Sequence, residues 1–143
     1  MSRGVVVYTD GAARGNPGPA GAGAVVFDLE GERLDEAYLY LGRATNNVAE
    51  YRALLLGLER ARSLDARCVE VRADSELLVR QMRGEYRVRS PGLEPLHARA
   101  RNLVAGFDHV EFVHVPRESN RVADRLANRA IDARGPGSRP QEQ

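Results

Sequence analysis

Apolar residues follow two different periods along this chain, and the order of these periods predicts an α/β fold. Short apolar or alternating runs predict five strands, at residues 5–10, 21–27, 33–41, 68–74 and 110–115. Apolar positions three and four residues apart predict four helices, at about residues 48–64, 75–82, 93–107 and 121–131. The predicted order is therefore three strands, a helix, a strand, two helices, a strand and a final helix.

Two of the predicted strands end on a carboxylate. The first ends at Asp10, where a segment rich in Gly and Pro is expected to stop the strand. The fourth ends at Asp74 before a helix, as when a parallel α/β unit presents an acid at the ligand-binding edge of its sheet. Each acid also has a simpler explanation. Asp10 could only begin a turn, and Asp74 or Ser75 could only cap the following helix.

Two further acids lie near the starts of predicted helices. Glu50 follows Asn47 by three residues, the spacing of a capping box, and acids are favoured in a first helical turn in any case. Asp124 lies on the shoulder of the apolar stripe of the last helix, where an unpaired carboxylate would be costly to bury. A salt bridge to a neighbouring arginine or a metal ion would each satisfy it.

The composition is ordinary for a single globular domain. The chain has 143 residues, 43% hydrophobic and 29% charged, enough for one sizeable core. It has no run of about eighteen apolar residues, and residues 1–4 lead straight into the first strand, so we expect neither a membrane span nor a signal peptide. The single Cys68 cannot form an internal disulfide, which favours a reducing, cytoplasmic location.

The basic residues are all arginine, 21 in number, and the formal net charge is +1. Arginine matches phosphate groups bidentately, but genome base composition explains this bias equally well. Residues 84–92 form a short basic connection in which Tyr86, Arg87 and Arg89 could stack on a base or sugar and pair with phosphates. A solvated loop with a packed tyrosine is the alternative interpretation.

Four local motifs, each containing one of the four acids, resemble those of type 1 ribonuclease H. In family order they are Tyr8-Thr9-Asp10-Gly11 followed by Gly15-Asn16-Pro17-Gly18, Thr45-Asn46-Asn47 with Glu50, Ala73-Asp74-Ser75, and Asn120 with Asp124, Leu126 and Ala127. The resemblance covers residues 3–133, nearly the whole chain. It is to the compact form of the class, without a basic protrusion.

The resemblance implies a ribonuclease H-like three-layer α/β fold, with a mixed five-stranded sheet flanked by helices. It also implies endonucleolytic cleavage of the RNA strand of RNA–DNA hybrids, leaving a 5′-phosphate and a 3′-hydroxyl. Four carboxylates in one cleft cannot all stay ionised without cations, and two Mg²⁺ or Mn²⁺ ions would neutralise them. A metal pair roughly 3.5–4 Å apart can activate water on one side and stabilise the leaving oxygen on the other.

The resemblance also implies a division of labour among the acids. Asp10 would bridge both ions, and Asp124 would help to hold the ion that binds the nucleophilic water. Glu50 and Asp74 would hold the ion on the leaving-group side.

Five further positions match nucleic-acid contacts of the family. Four of them match residues that touch the RNA strand, where backbone and amide groups can reach the 2′-hydroxyls that distinguish RNA from DNA. These are Gly11, Asn16, Asn46 and Asn47. Thr45 matches a contact to a DNA phosphate.

One departure from the family concerns the loop before the last helix. Many relatives carry a mobile histidine there, whereas this chain reads Val115-Pro116-Arg117-Glu118-Ser119-Asn120. We hypothesise that Arg117 takes the role of moving a proton-bearing phosphate or the product out of the site. His114 is the alternative, but its apolar strand neighbours favour a structural role.

A second departure is the segment 84–93. Many relatives insert a basic, tryptophan-containing helix there to grip the DNA strand, and this chain has neither the insertion nor any tryptophan. We therefore predict weaker hybrid affinity that falls less steeply with salt, because fewer phosphates are neutralised.

Several alternatives stay open at the level of sequence. The chain could be a broader nuclease that also cuts RNA–RNA duplexes, a non-catalytic hybrid-binding module, or a plain α/β protein whose acids are caps. We expect a monomeric domain over residues 1–133. Residues 134–143 are poor in apolar residues, which predicts a disordered tail or linker and raises the hypothesis of a further domain beyond it.

Overall fold

The computed structural model describes residues 4–134 and 137–138. It contains the five predicted strands and four predicted helices in the predicted order, with a short 3-10 helix at Arg117–Ser119 and one additional short strand. The strands are β1 Gly4–Ala13, β2 Gly18–Asp28, β3 Arg33–Ala44, β4 Cys68–Ala73, β5 His109–His114 and β6 Gly137–Ser138. The helices are α1 Asn46–Ser63, α2 Glu76–Met82, α3 Glu94–Ala105 and α4 Arg121–Ala133. None of these helices is long and apolar enough to cross a membrane.

The strands form one mixed sheet in the order β5-β4-β1-β2-β3-β6. The pairs β1–β4 and β4–β5 are parallel, and the pairs β1–β2, β2–β3 and β3–β6 are antiparallel. Side chains of alternate residues in β1 point to opposite faces. Val7 and Thr9 lie against Gly57 of α1, whereas Gly23, the partner of Asp10, lies against Ala123 of α4. The helices therefore cover both faces, and the predicted three-layer architecture is confirmed.

The main core lies on the face covered by α1, α2 and α3. It is built from the alternating valines of β1 and β4 and from the apolar stripe of α1, which are almost fully buried. These residues are Val5, Val7, Val69, Val71, Leu54, Leu55 and Leu58. The apolar stripe of α1 consists of the positions, three and four residues apart, from which this helix was predicted.

The opposite face holds α4 unusually close to β2. Side chains at Gly21 and Gly23 would collide with the carbonyl groups of Ala127 and Ala123, so only glycine permits this approach. Because Gly23 pairs with Asp10 in the sheet, the same approach brings the start of α4 next to β1. The two glycines thereby bring Asp124 near Asp10.

The prediction that β1 ends at Asp10 is wrong, because the strand continues to Ala13. The parallel partner β4 stops pairing at Thr9 and Ala73, but the antiparallel partner β2 pairs with β1 as far as Ala13. Hydrogen bonds to β2 therefore keep the glycine-containing segment extended. Asp10 lies where the parallel pairing ends and the antiparallel pairing continues.

The sheet also extends beyond the five predicted strands. Gly137 and Ser138 pair with Tyr38 and Ala37 at the outer edge of β3. These two residues fall within the segment 134–143 that was predicted to be a disordered tail. Residues 135–136 and 139–143 of that segment lie outside the described residues.

Candidate active site

Three of the four predicted acids form a tight group at the end of the parallel part of the sheet. One carboxylate oxygen each from Asp10, Glu50 and Asp74 lies within 4.8 Å of the other two. Asp10 comes from β1, Glu50 from the second turn of α1, and Asp74 directly follows β4. Separate elements therefore bring three hard oxygen ligands together, as divalent Mg²⁺ or Mn²⁺ sites require.

The alternative interpretation of Glu50 and Asp74 as helix caps is wrong, whereas the same alternative is correct for Ser75. The hydroxyl of Thr45 accepts the capping hydrogen bond from the Val48 N–H, 3.2 Å away, so Asn47 and Glu50 form no capping box. The hydroxyl of Ser75 caps α2 by accepting from the Leu78 N–H, also at 3.2 Å. The caps are supplied by neighbouring hydroxyls, and the carboxylates are available to a ligand.

Glu50 is held in the group by β1. The Gly11 N–H donates to Glu50 Oε1 over 3.3 Å. A side chain at Gly11 would collide with the backbone of Ala49, so α1 can approach the strand this closely only because residue 11 is glycine. Gly11, which the resemblance assigned to RNA contact, thus has a packing role in the structure.

Asp124 borders the same cleft but is not a member of the tight group. The cleft has a volume of about 480 Å³ and is lined by Asp10, Glu50, Asp74, Asp124 and Arg117, among others. Within residues 4–134 no arginine pairs with Asp124, so the salt-bridge alternative fails there. The Asp124 carboxylate instead accepts a hydrogen bond from Asn128 Nδ2 at 3.3 Å.

The electrostatics of the group fit a cation. Burial, together with the charges of Glu50 and Asp74 and contact with Asp124, raises the pKa of Asp10 to about 10. Burial and the charge of Asp74 raise the pKa of Glu50 to about 8, although hydrogen bonds from Asp10 and Gly11 and the charge of Arg117 oppose the shift. The charge of Arg117 does not compensate for all of these acids, and divalent ions would supply the remaining positive charge.

Arg117 is exposed in the 3-10 helix and lines the cleft. Its guanidinium is close enough to act on the pKa of Glu50, which it lowers. His114, the alternative, is exposed at the end of β5 and is not among the residues that line the cleft.

Two asparagines of the predicted RNA-binding motifs, Asn16 and Asn46, connect the β1–β2 loop to the start of α1. Asn46 Oδ1 accepts from the Ala13 N–H at 3.1 Å, and Asn16 Oδ1 accepts from the Asn46 N–H at 3.0 Å. The β1–β2 loop is thereby fastened to the start of α1. Asn47 is exposed in the first turn of that helix.

None of the residues 84–92 lines the cleft. Tyr86 is 47% exposed, and the guanidinium of Arg80 lies 5.4 Å from its ring centroid. Arg87 and Arg89 are both exposed. The loop is therefore largely solvated, and the tyrosine ring contacts Arg80 rather than the core.

Sequence reasoning gave no role to three polar residues beside the acids. Asn120 is 1% exposed, and its Nδ2 donates to the Thr9 carbonyl at 2.9 Å and to Asp74 Oδ2 at 3.4 Å. Asn128 contacts Asp124, and Arg14 contacts Asn128. The spacing of four residues along a helix could have indicated the contact between Asp124 and Asn128.

The sheet order, the layers and the acid group together define a ribonuclease H-like fold with a cluster of carboxylates that could hold a divalent cation. The chain belongs to the family described as "Reverse transcriptase-like", which matches residues 8–130. Solved structures of type 1 ribonucleases H are similar to this chain, which confirms the resemblance of the motifs.

Two relatives are similar to this chain both in sequence and in solved structure. The "Bifunctional protein Rv2228c" of Mycobacterium tuberculosis is 48% identical over 130 residues, which cover 90% of this chain and 36% of that protein. The structure of its N-terminal RNase H domain, fused to maltose-binding protein, superposes with a TM-score of 0.90 over 92% of this chain and 96% of that chain. "Ribonuclease HI" of Halobacterium salinarum is 45% identical over 90% of this chain and 64% of that protein. Its structure superposes with a TM-score of 0.88 over 91% of this chain and 98% of that chain.

A third structure contains a nucleic acid. LC11-RNase H1, solved in complex with an RNA/DNA hybrid, is 47% identical to this chain, with a TM-score of 0.87 over 91% of this chain and 98% of that chain. The present chain spans about a third of the length of the mycobacterial relative and less than two thirds of the halobacterial one.

Proposed function

We propose that this chain is a metal-dependent endoribonuclease that hydrolyses the RNA strand of RNA–DNA hybrids and leaves a 5′-phosphate and a 3′-hydroxyl. The observation that carries the proposal is the group formed by the buried carboxylate of Asp10 and the half-buried carboxylates of Glu50 and Asp74, with Asp124 beside it. The name of the halobacterial relative and the hybrid bound to LC11-RNase H1 support the same substrate.

The donor set suits two Mg²⁺ ions, with Mn²⁺ as a substitute. In the proposed arrangement Asp10 would be shared by both ions, Asp124 would help to hold one, and Glu50 and Asp74 would help to hold the other. When bound, the ions supply an activated water and charge stabilisation for the leaving 3′-oxygen. The raised pKa of Asp10 supports this assignment, because a carboxyl so reluctant to ionise alone gains most from neighbouring positive charge.

The remaining residues bind and position the substrate in this proposal. Arg117 brings a permanent positive charge to the cleft beside Glu50, where it attracts the scissile phosphate and helps the phosphorylated product to leave. Gly11, Asn16, Asn46 and Asn47 face the RNA strand, and Thr45 faces a DNA phosphate. Tyr86, Arg87 and Arg89 make weaker contacts to the hybrid further from the cleft.

A panel of duplexes tests the substrate. The protein is incubated with labelled RNA–DNA, RNA–RNA and DNA–DNA duplexes of one sequence, each with Mg²⁺ or Mn²⁺. Cleavage of the hybrid alone is the expected result. Cleavage of RNA–RNA as well would favour the broader nuclease, and binding of the hybrid without cleavage in either metal would favour the non-catalytic binding module.

We also propose that the enzyme acts as a monomer with its catalytic domain in residues 1–133, in the cytoplasm. A hydrophobic core completed within one chain supports this view. Sedimentation at micromolar concentration would show a single species of about 16 kDa, the mass expected from the 15.7 kDa chain.

A further inference from the structure

Asp124 contacts Asp10 but lies outside the tight group that the other three acids form. Its oxygens are not part of the group in which Asp10, Glu50 and Asp74 lie within 4.8 Å of one another. It comes from α4, on the opposite face of the sheet from α1, which carries Glu50. A contact from outside the group of acids also helps to fix the direction of this carboxylate.

That contact is the side-chain amide of Asn128, one helical turn further along α4. Asn128 Nδ2 donates to Asp124 Oδ1 at 3.3 Å and to the Asp124 main-chain carbonyl at 3.0 Å. The amide nitrogen thus holds the carboxylate against the helix. Asn128 also lines the cleft.

An asparagine amide can present either its nitrogen or its oxygen, and only the nitrogen attracts a carboxylate. Arg14 selects the favourable orientation, because its Nη2 lies 3.3 Å from Asn128 Oδ1 and guanidinium nitrogens only donate. Arg14 Nη2 also donates to the Asn128 main-chain oxygen at 3.4 Å. If the amide were reversed, its NH₂ group would face Arg14 and its oxygen would face Asp124.

Arg14 is itself anchored to α4. Its Nη1 donates to Asp132 Oδ1 at 2.8 Å, in an ion pair whose side chains are 48% and 69% exposed. Arg14 follows β1, the strand that carries Asp10, by one residue. A chain of contacts therefore runs from the β1 end of the site through Asn128 to Asp124.

We propose that Arg14 and Asn128 are positioning residues that aim the Asp124 carboxylate at the cation it would share with Asp10. This inference rests on the proposed function, because it assigns a role within that metal centre. Neither residue needs to touch the ion. Their contribution is to reduce the freedom of a ligand that would otherwise rotate about its side-chain bonds.

The test is a calorimetric titration of the substrate-free protein with Mn²⁺, which measures the affinity of the site for the ion. Replacing a residue that hydrogen-bonds to a metal ligand typically weakens metal affinity by about 10–100-fold. Because the contacts of Asn128 are partly exposed, we expect Asn128→Ala to weaken Mn²⁺ affinity about tenfold. Arg14→Ala should weaken it less. The double variant should match Asn128→Ala, because Arg14 acts through Asn128.

Asn102→Ala is the matched control, since Asn102 is an exposed asparagine of α3 outside the cleft lining. It should leave Mn²⁺ affinity unchanged. Alanine favours helices more than asparagine does, so neither substitution should unfold the chain. In the cleavage assay, Asn128→Ala should raise the Mg²⁺ concentration for half-maximal rate while the KM for the hybrid stays unchanged.

Unchanged Mn²⁺ affinity in Asn128→Ala, or independent, additive effects of the two substitutions, would overturn the positioning role. The calorimetric result does not depend on hybrid cleavage. If the unsubstituted protein binds Mn²⁺ but cleaves no hybrid, the proposed function fails while the positioning role is still decided by the titration.

Discussion

Replacing Asp10 by asparagine is expected to stabilise the metal-free protein, although it removes the acid that the proposed centre needs most. Asp10 is 5% exposed, and its pKa is raised to about 10 by burial and by the neighbouring carboxylates. In the folded, metal-free protein it is therefore protonated at pH 7, whereas in the unfolded chain, with a pKa of 3.8, it is ionised. Asparagine has the same shape and never ionises.

The magnitude follows from this difference in proton binding. Keeping a carboxyl of intrinsic pKa 3.8 protonated at pH 7 costs up to about 4 kcal/mol, at about 1.4 kcal/mol per pH unit. Coupling to Glu50 and relaxation of the cleft reduce the gain, so we expect Asp10→Asn to raise the free energy of unfolding by about 1–4 kcal/mol. A gain of this size would raise Tm by several degrees.

The sign of the pH dependence is fixed by the direction of the shift. A carboxyl whose folded pKa is raised stabilises the fold fully below the unfolded pKa, and this contribution is lost as pH rises towards the folded value. The metal-free wild type should therefore lose stability between about pH 4 and pH 10, and Asp10→Asn should lose less over that window.

Urea denaturation in EDTA measures the effect. Asp108→Asn is the control, because Asp108 is 60% exposed in a surface pair with Arg67, and the change should stay within about 0.5 kcal/mol. Mg²⁺ should stabilise the wild type more than Asp10→Asn, since it binds the intact centre more tightly. An Asp10→Asn protein that is no more stable than wild type in EDTA would refute the reasoning.

Three further outcomes are expected. Asn120→Ala should lower the free energy of unfolding by about 1–3 kcal/mol in urea, because it deprives the Thr9 carbonyl of its buried donor; equal stability would mean that water replaces the amide without cost. Arg117→Ala should lower kcat for hybrid cleavage about tenfold or more with the Tm unchanged, since Arg117 is exposed and contributes charge to the cleft, and unchanged turnover would remove Arg117 from the mechanism. Hybrid affinity should fall only shallowly with salt, and a log–log slope steeper than about −7, equivalent to eight or more phosphate contacts, would contradict the small basic surface of residues 84–92.

Local sequence patterns were sufficient to predict most of the helices and strands of the fold. The alternation in β1 and the helical stripe of α1 are strong because each buries one face against the other, so their periods predicted both elements. The four acids were found because each lies in a local motif of fixed spacing. Local composition misled at Asp10, where pairing with β2 continues the strand to Ala13.

Contacts between distant residues could not be predicted in this way. Arg14 reaches Asn128 across 114 positions of sequence, and Asn120 reaches Thr9 across 111. Hydrogen bonds between residues so far apart in the sequence produce no periodic pattern and no motif of fixed spacing that could reveal them. The helix cap shows the same limit at short range, since Thr45 and Asn47 are both good capping residues and only the backbone selects Thr45.

The most direct test of the central claim is hydrolysis of a hybrid whose RNA strand carries a 5′ label, with the product ends identified. Wild type, Asp10→Asn and Asp108→Asn are compared in Mg²⁺ and in EDTA. We predict that wild type and Asp108→Asn cut the RNA strand internally and leave 3′-hydroxyl ends, only with Mg²⁺, and that Asp10→Asn is at least about a thousandfold slower. Cleavage that persists in Asp10→Asn or in EDTA would contradict a metal centre built on this carboxylate group.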